Sequence, residues 1–297
     1  MTLDDPVMRV AHKPALRECA FQRAKEYWKV AGLPEKWLPR IFEILGANAR
    51  SEAVALRAIL ACFPQLTDPS SDYSTALREY RASKVTWLAG RLSRHIRGPL
   101  LLDFGGRRKD LASALLKACR ALRHVIVCDI RTETSDEDIA NVRFLAQQSA
   151  ETIPLEDASV DTVLAIMVLH HVPPVIRTHL LDEIGRVLRP GGRFVALEDT
   201  YAEDPSCYRG SQAWLRRFAE FPEVDKTAFL AFFDWFGNAL MRGRVNEVLP
   251  FAFESIENWQ KQIEALSYRT VEVVTITSPA CPFDLMPPKG ILVAERR

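Results

Sequence analysis

The sequence predicts an α/β protein: a mostly parallel, seven-stranded sheet with helices on both faces, an amino-terminal helical region, and an α-helical insertion after the fifth strand. Three observations predict it. From residue 100 onward, short aliphatic runs alternate with helical stretches, the pattern of strands buried on both faces and joined by helical crossovers. Before residue 98 the apolar positions recur at helical spacing. Between about residues 200 and 254 the alternation gives way to aromatic, partly helical sequence, and then strands resume. A chain of 297 residues accommodates one large domain or two modest ones. The expected division is a helical region or cap over 1–97 and a main domain over 98–297 that carries the insertion at about 200–254.

The elements follow in order. "ALRECAFQRAKEYWKVAG" closes on Gly32, "KWLPRIFEILG" closes on Gly46, and "SEAVALRAILACF" starts from a candidate cap at Ser51 and stops before Pro64. Beyond the Pro-, Ser- and Asp-rich "PQLTDPSSD", one helix places Tyr73, Leu77, Tyr80, Leu88, Leu92 and Ile96 near one face. The strand "LLLDF" is followed by the helix "KDLASALLKACRAL", the strands "HVIVCDI", "VRFLAQQ" and "VDTVLAIMVL", the helix "PVIRTHLLDEIGRVL" and the strand "GRFVALED". The insertion holds "SQAWLRRFAEF" and "KTAFLAFFDWFGNALMRGRV". The helix "SIENWQKQIEALS" and the strands "RTVEVVTIT" and "GILVAERR" close the chain and suit the far edge of the sheet.

Composition narrows the partners. Lys plus Arg is 39 and Asp plus Glu is 38, so no overall field draws the chain to nucleic acid or acidic lipid. Local charge is less even: residues 78–123 hold 12 basic against three acidic groups. That stretch reads either as solvated helix faces or as a patch that greets an anionic substrate. The six cysteines form no CxxC pair, which fits reduced thiols better than a disulfide framework or a zinc site, and no metal is expected. "MTLDDPVMRVAHK" lacks the apolar core of a signal peptide, and no stretch approaches the roughly 18 apolar residues of a membrane span. The expectation is a soluble, cytoplasmic protein.

The chemistry gathers where strands end, because ligands of such sheets bind outside the carboxyl ends. Asp103, Gly105 and Gly106 end the first strand; glycine lets backbone N–H groups approach a ligand, and the helix behind offers unpaired N–H groups. Asp129 ends the next strand, 26 residues on. An acid at that tip accepts hydrogen bonds from ribose hydroxyls in doubly wound nucleotide binders. A dinucleotide turn needs GxGxxG, and GG followed by Arg107, Arg108 and Lys109 argues against a tightly cradled pyrophosphate.

"LLDFGGRRKDLASAL", "VIVCD", "QQSAETIPLEDASVDTVLAIMVLHHVP" and "LLDEIGRVLRPGGRFVALED" follow in an order and spacing that resemble the class I S-adenosylmethionine-dependent methyltransferases of the type 11-like kind. "RVLRPGGRFVALED" is the most specific piece, resembling the family's helix, Pro-Gly-Gly turn and fifth strand; residues 98–200 are covered well and 255–297 more loosely. The resemblance implies a Rossmann-like fold and S-adenosylmethionine as cofactor. It sets Asp103, Gly105 and Gly106 against the methionine part, Asp129 against the ribose, Ser149 and Ala150 near adenine, and Ile166, Met167 and Leu169 along the methyl-transfer pocket. It also implies that a helix before the first strand lids the cofactor, which makes Tyr73 a candidate to face the sulfonium, with core packing as the alternative. The chain departs from the family in two places: Arg107 and Lys109 stand at the second and third glycine positions, and Ser149 stands where an acid is usual.

His170 and His171 close the fourth strand and are the candidate catalytic pair, since an unperturbed imidazole titrates near 6.5, against a packing role. Tyr201 after the fifth strand is a further candidate, and Glu198 and Asp199 either share the pocket or cap the next turn. The aromatic run Trp214, Phe218, Phe229, Phe232, Phe233, Trp235 and Phe236 reads as core or as a substrate cover that favours an apolar or aromatic acceptor. The function expected is methyl transfer to a small organic molecule, in specialised metabolism, by a monomer or homodimer without nucleic-acid or membrane partners. Three alternatives stay open: another use of S-adenosylmethionine such as intramolecular cyclisation or aminocarboxypropyl transfer, an RNA or protein methyltransferase, and a non-catalytic binding protein.

Overall fold

The β-branched and aliphatic runs extend as β1 (Leu100–Phe104), β2 (His124–Asp129), β3 (Val142–Ala146), β4 (Val160–Ile166), β5 (Leu188–Asp199), β6 (Tyr268–Ile276) and β7 (Lys289–Arg296). They pair into one mixed sheet in the order β3-β2-β1-β4-β5-β7-β6, with helices on both sides. The computed structural model describes residues 5–107, 109–130, 139–149, 151–208, 212–243, 250–276 and 288–297. β1 pairs in parallel with both β2 and β4, and β2 with β3 and β4 with β5 likewise. The chain therefore runs outward through β2 and β3 and then returns to the other side of β1. That reversal is the topological switch point, where the carboxyl ends of parallel strands diverge and leave room for a ligand.

Register decides which side chains meet there. Phe104 lies beside Cys128 and Ala165, so Asp129 stands one residue beyond the end of β1. On the other side Ile166 lies beside Leu197, which sets Glu198 next to the turn that leaves β4. β5 begins earlier than "GRFVALED" suggests: the Pro-Gly-Gly segment expected as a turn is carried inside the strand, and the pairing shifts register between Val160 and Thr162 to accommodate it.

The chain divides into two compact units, one of residues 82–199, 254–276 and 290–297, the other of residues 1–81, 200–253 and 277–289. The first contains the sheet with α6 (Lys109–Ala118), α7 (Pro174–Val187) and α10 (Ile256–Glu264). It also takes the second half of α5 (Asp72–Leu92), because Leu88, Ala89, Leu92 and Ile96 pack with Leu101, Leu164, Val195 and Ile291 in one buried cluster. The division thus falls within α5 rather than at residue 97.

The second unit joins the amino-terminal helices to the insertion. It contains α1 (Pro6–His12), α2 (Pro14–Val30), α3 (Leu38–Ala47), α4 (Glu52–Cys62), α8 (Ala213–Glu220) and α9 (Glu223–Trp235), with a single π turn at Phe236–Leu240. α1 is capped by Asp5, whose carboxylate accepts from Val7 N at 2.9 Å, with Pro6 in the first turn where no amide donor is required. Ser51 caps α4 as its position predicts, and Gly32 ends α2 with φ +66°. Gly46 lies inside α3 instead of ending it; a Cβ there would stand 2.8 Å from Arg17 Nη1, the far end of a long side chain that can give way, so space alone does not demand this glycine. The aromatic run of the insertion is buried within this unit, where Phe232 and Phe236 meet Phe42, Phe236 also meets Trp28, and Trp214 stacks on Phe229. Asp225 ties α9 to α1 through Arg9 at 2.6 Å and to Lys13 just beyond it at 2.8 Å. No described helix is long and apolar enough to cross a membrane.

Candidate cofactor turn and histidine dyad

β1 delivers Asp103 and then bends sharply. Gly105 adopts φ +70° and donates its N–H to Cys128 O at 2.7 Å, which fastens the turn to the end of β2. A Cβ on Gly105 would meet Val168 Cγ2 at 2.4 Å, and one on Gly106 would meet Asp103 Oδ2 at 2.4 Å. Both positions need glycine, the first for its dihedral and its neighbour, the second because the Asp103 carboxylate folds back over the backbone. Gly105→Ala is expected to displace Val168 or the turn, lowering Tm and weakening binding of S-adenosylhomocysteine at least 10-fold by roughly 1.4 kcal/mol or more of strain and misplacement. Titration calorimetry and thermal melts of the same variant measure both effects, and a fully wild-type melting temperature with wild-type affinity would contradict the close fit.

Asp103 is 2% exposed, and its Oδ2 has no hydrogen-bond partner among the described residues. Burial, and secondly the negative charge of Asp129, raise its pKa to about 7. An unsatisfied buried carboxylate oxygen is costly in the free protein, and a ligand cation would supply its partner. Asp129 is buried at the tip of β2, and its backbone oxygen accepts from Gln147 N at 2.9 Å. Gln147 in turn donates through Nε2 to Thr152 O at 2.8 Å, which shapes the chain after β3. Ser149 is exposed there and its hydroxyl accepts from Glu151 N at 3.1 Å. Ala150 lies outside the described residues.

Beyond half-buried Ile166, Met167 adopts φ +51°, uncommon for a side chain of its kind, and its N–H is held by Leu197 O at 2.7 Å. The short 3-10 turn Leu169–His171 follows. His170 is fully buried, with Nδ1 2.5 Å from Glu198 Oε2, while Glu198 Oε1 accepts from Val168 N at 3.0 Å and Leu169 N at 2.9 Å. Burial alone would raise the Glu198 pKa, but the His170 ring and the two N–H groups outweigh it and hold the carboxyl below its usual range. His171 is half-buried, its ring centroid 4.2 Å from that of His170.

The sheet unit therefore brings together Asp103, Gly105, Gly106, Asp129, Ile166, His170 and His171 at the carboxyl ends of β1, β2 and β4. Tyr73 and Tyr201 belong to the helical unit. Tyr73 stacks on Trp37 with centroids 5.9 Å apart and points its hydroxyl to Met241 O at 3.5 Å; burial, the largest cause, pushes its phenol up. Tyr201 donates to Glu223 Oε1 at 2.8 Å, and Lys226 Nζ lies 5.8 Å from its ring. The His170–Glu198 contact was not foreseen as a pair from sequence; the available signal was an acid one residue before the end of a strand that adjoins the histidine strand.

A family model described as a methyltransferase domain matches residues 102–196. The ubiquinone/menaquinone biosynthesis C-methyltransferase UbiE of Bartonella tribocorum is 32% identical over 136 residues, 43% of this chain and 50% of that protein. The UbiE of Methylobacterium nodulans is 35% identical over 117 residues, 37% of this chain and 45% of that one. The chain thus spans about half the length of the curated relatives it matches. Among solved structures, the Burkholderia thailandensis 1,6-didemethyltoxoflavin-N1-methyltransferase aligns with a TM-score of 0.45 at 17% identity, covering 75% of this chain and 86% of that one.

Proposed function

Residues 102–196 form a methyltransferase domain of the class I S-adenosylmethionine-dependent family, and from that premise we propose that the protein methylates a small aromatic acceptor of phenol or hydroquinone type. The observation that carries the cofactor reading is the buried Asp103 oxygen that has no hydrogen-bond partner among the described residues, beside a glycine turn that admits no Cβ, with Asp129 on the adjoining strand tip. The acceptor class draws its support from the quinone C-methyltransferases to which the chain is similar.

S-adenosylmethionine, when bound, supplies an electrophilic methyl group on a sulfonium. Asp103, Gly105 and Gly106 would receive its amino-acid part, with Asp103 as counter-charge to the ammonium. Arg107 and Lys109, at positions where the family usually has glycine, add cations on the carboxylate side. Asp129 would hold the ribose hydroxyls, Ser149 and Ala150 would border the base, and Ile166 and Met167 would wall the pocket. The chain's work in the reaction is placement and exclusion of water, which together account for most of the acceleration when the electrophile is already activated. An aromatic acceptor also loses one proton, and His170 is the assigned base, with His171 as a polar group that orients the acceptor.

The test uses the purified chain, S-adenosylmethionine labelled in its methyl group, and 1,4-naphthohydroquinone as the acceptor probe. Formation of S-adenosylhomocysteine together with a ring-methylated product is expected. Release of methylthioadenosine instead would overturn methyl transfer, absence of S-adenosylhomocysteine binding in calorimetry would overturn the cofactor site, and binding without ring methylation would overturn the acceptor class.

A further inference from the structure

We infer that Glu198 is a positioning residue that fixes His170 as the Nδ1–H tautomer and, through the same carboxylate, sets the chain after β4 against the cofactor turn. The inference rests on the functional reading above and extends it to a residue that does not itself touch a ligand. Glu198 uses its two oxygens on different tasks. Oε2 takes the His170 Nδ1 at 2.5 Å, and Oε1 takes the N–H groups of Val168 and Leu169 at 3.0 and 2.9 Å. An ionised carboxylate only accepts hydrogen bonds, so in the neutral ring the proton sits on Nδ1 and the lone pair is on Nε2.

The second task couples this tautomer to the cofactor turn. Val168, whose N–H Glu198 holds, occupies the space that a Cβ on Gly105 would fill. A displacement of Glu198 therefore moves the base and the wall of the cofactor turn together. The far end of the segment is gripped as well: Arg177, 2% exposed, donates to Val172 O at 3.3 Å while pairing with Glu254 at 3.0 Å and lying over the Trp259 ring at 4.6 Å. Two buried charges thus bracket residues 168–172, an acid at the start and a base at the end, with His170 between them. A packing histidine needs neither a fully buried carboxylate partner nor a backbone clamp on each side.

In the reaction the acceptor's proton passes to Nε2, its electron pair stays with the acceptor, and the imidazolium that results is balanced by Glu198. Glutamine is the discriminating replacement. In Glu198→Gln the amide oxygen still accepts from Val168 and Leu169, while the amide nitrogen facing His170 turns Nδ1 into an acceptor and moves the ring proton to Nε2.

The readouts are the nitrogen NMR shifts of His170, assigned by comparison with His170→Gln, the affinity for S-adenosylhomocysteine by calorimetry, and kcat and KM with 1,4-naphthohydroquinone. The wild type should show a protonated Nδ1, and Glu198→Gln a protonated Nε2, with S-adenosylhomocysteine affinity within about 3-fold of wild type. kcat should fall on the order of 10²-fold at nearly constant KM. His170→Gln should lose as much, and Glu198→Gln added to it should cost nothing further, because the acid acts through the imidazole. A wild-type ring protonated at Nε2, an unchanged kcat in Glu198→Gln, or a full additional loss in the double variant would overturn the inference. Failure of the wild type to bind S-adenosylhomocysteine would instead count against the functional reading, and the NMR result stands apart from it.

Discussion

Replacing Asp129 by alanine is expected to weaken S-adenosylhomocysteine binding on the order of 10²-fold while leaving the sheet in place. The expectation follows from where register puts this carboxylate. Cys128 lies beside Phe104, and Gly105 is fastened to Cys128 O at 2.7 Å, so Asp129 stands beside the turn and one step beyond it. Its side chain is buried at 8% exposure, where hydrogen bonds to a charged acceptor contribute about 1.5–3 kcal/mol. Two ribose hydroxyls on one carboxylate, discounted because the paired bonds are not additive, give about 2–3 kcal/mol, hence the factor. The β2 backbone does not depend on the side chain, since the pairing to β1 and β3 is made by main-chain groups. Calorimetry with S-adenosylhomocysteine decides the matter, with Asp129→Asn as a control that keeps the shape. An unchanged Kd in Asp129→Ala would remove the ribose assignment.

Asp129 was legible in the sequence, and the reason is physical. Parallel strands buried on both faces must be aliphatic, so the first acid after "VIVC" marks the strand's end and the ligand side of the sheet together. The same logic exposed Asp103 and Gly105 at the end of the preceding strand. What the sequence did not disclose depends on pairing across distance. His170 and Glu198 are 28 residues apart and meet only because Ile166 falls beside Leu197, a register that neither strand specifies alone. Asp103 could be named, but not that its Oδ2 has no hydrogen-bond partner among the described residues and lies close over Gly106. α5 illustrates a different limit. Its apolar face is continuous from Tyr73 to Leu92, and all of Tyr73, Leu77, Tyr80, Leu88 and Leu92 are buried. A single face shows no seam, although the first three serve one unit and the last two the other. Gly46 and the Pro-Gly-Gly segment misled for a third reason: glycine does not only end elements, since Gly46 is carried inside α3 and the Pro-Gly-Gly segment inside β5, where the pairing shifts register.

The affinity for S-adenosylhomocysteine should rise about tenfold per pH unit from about pH 5 toward pH 7 and then level off, and Asp103→Asn should abolish that dependence. Burial first, and the charge of Asp129 second, set the Asp103 pKa at about 7 in the free protein. The carboxylate form is the one that pairs with an ammonium, so below pH 7 binding must expel a proton, and above it none. The same shift carries a stability consequence of determinate sign. An unfolded aspartate titrates near 3.9, so between about pH 4 and 7 the native state holds a proton that the unfolded state has released. Stability is therefore highest at the acid side of this window and is lost as pH rises through 7, by an upper bound of about 4 kcal/mol for a shift of roughly three units. Asparagine keeps the shape and removes the titration. At about pH 8 the unliganded Asp103→Asn protein should melt higher than wild type by on the order of 5 °C, while at pH 4 the two should coincide. Its S-adenosylhomocysteine affinity at pH 8 should nevertheless fall about 30-fold, because the charged partner of the ammonium is gone. A residue that costs the free fold stability and repays it on binding is a trade that natural sites make where charge must be stored in a dry place. Equal melting temperatures of the two proteins at pH 8, or a wild-type affinity flat from pH 5 to 8, would mean that Asp103 is neither protonated in the free protein nor the partner of the ammonium.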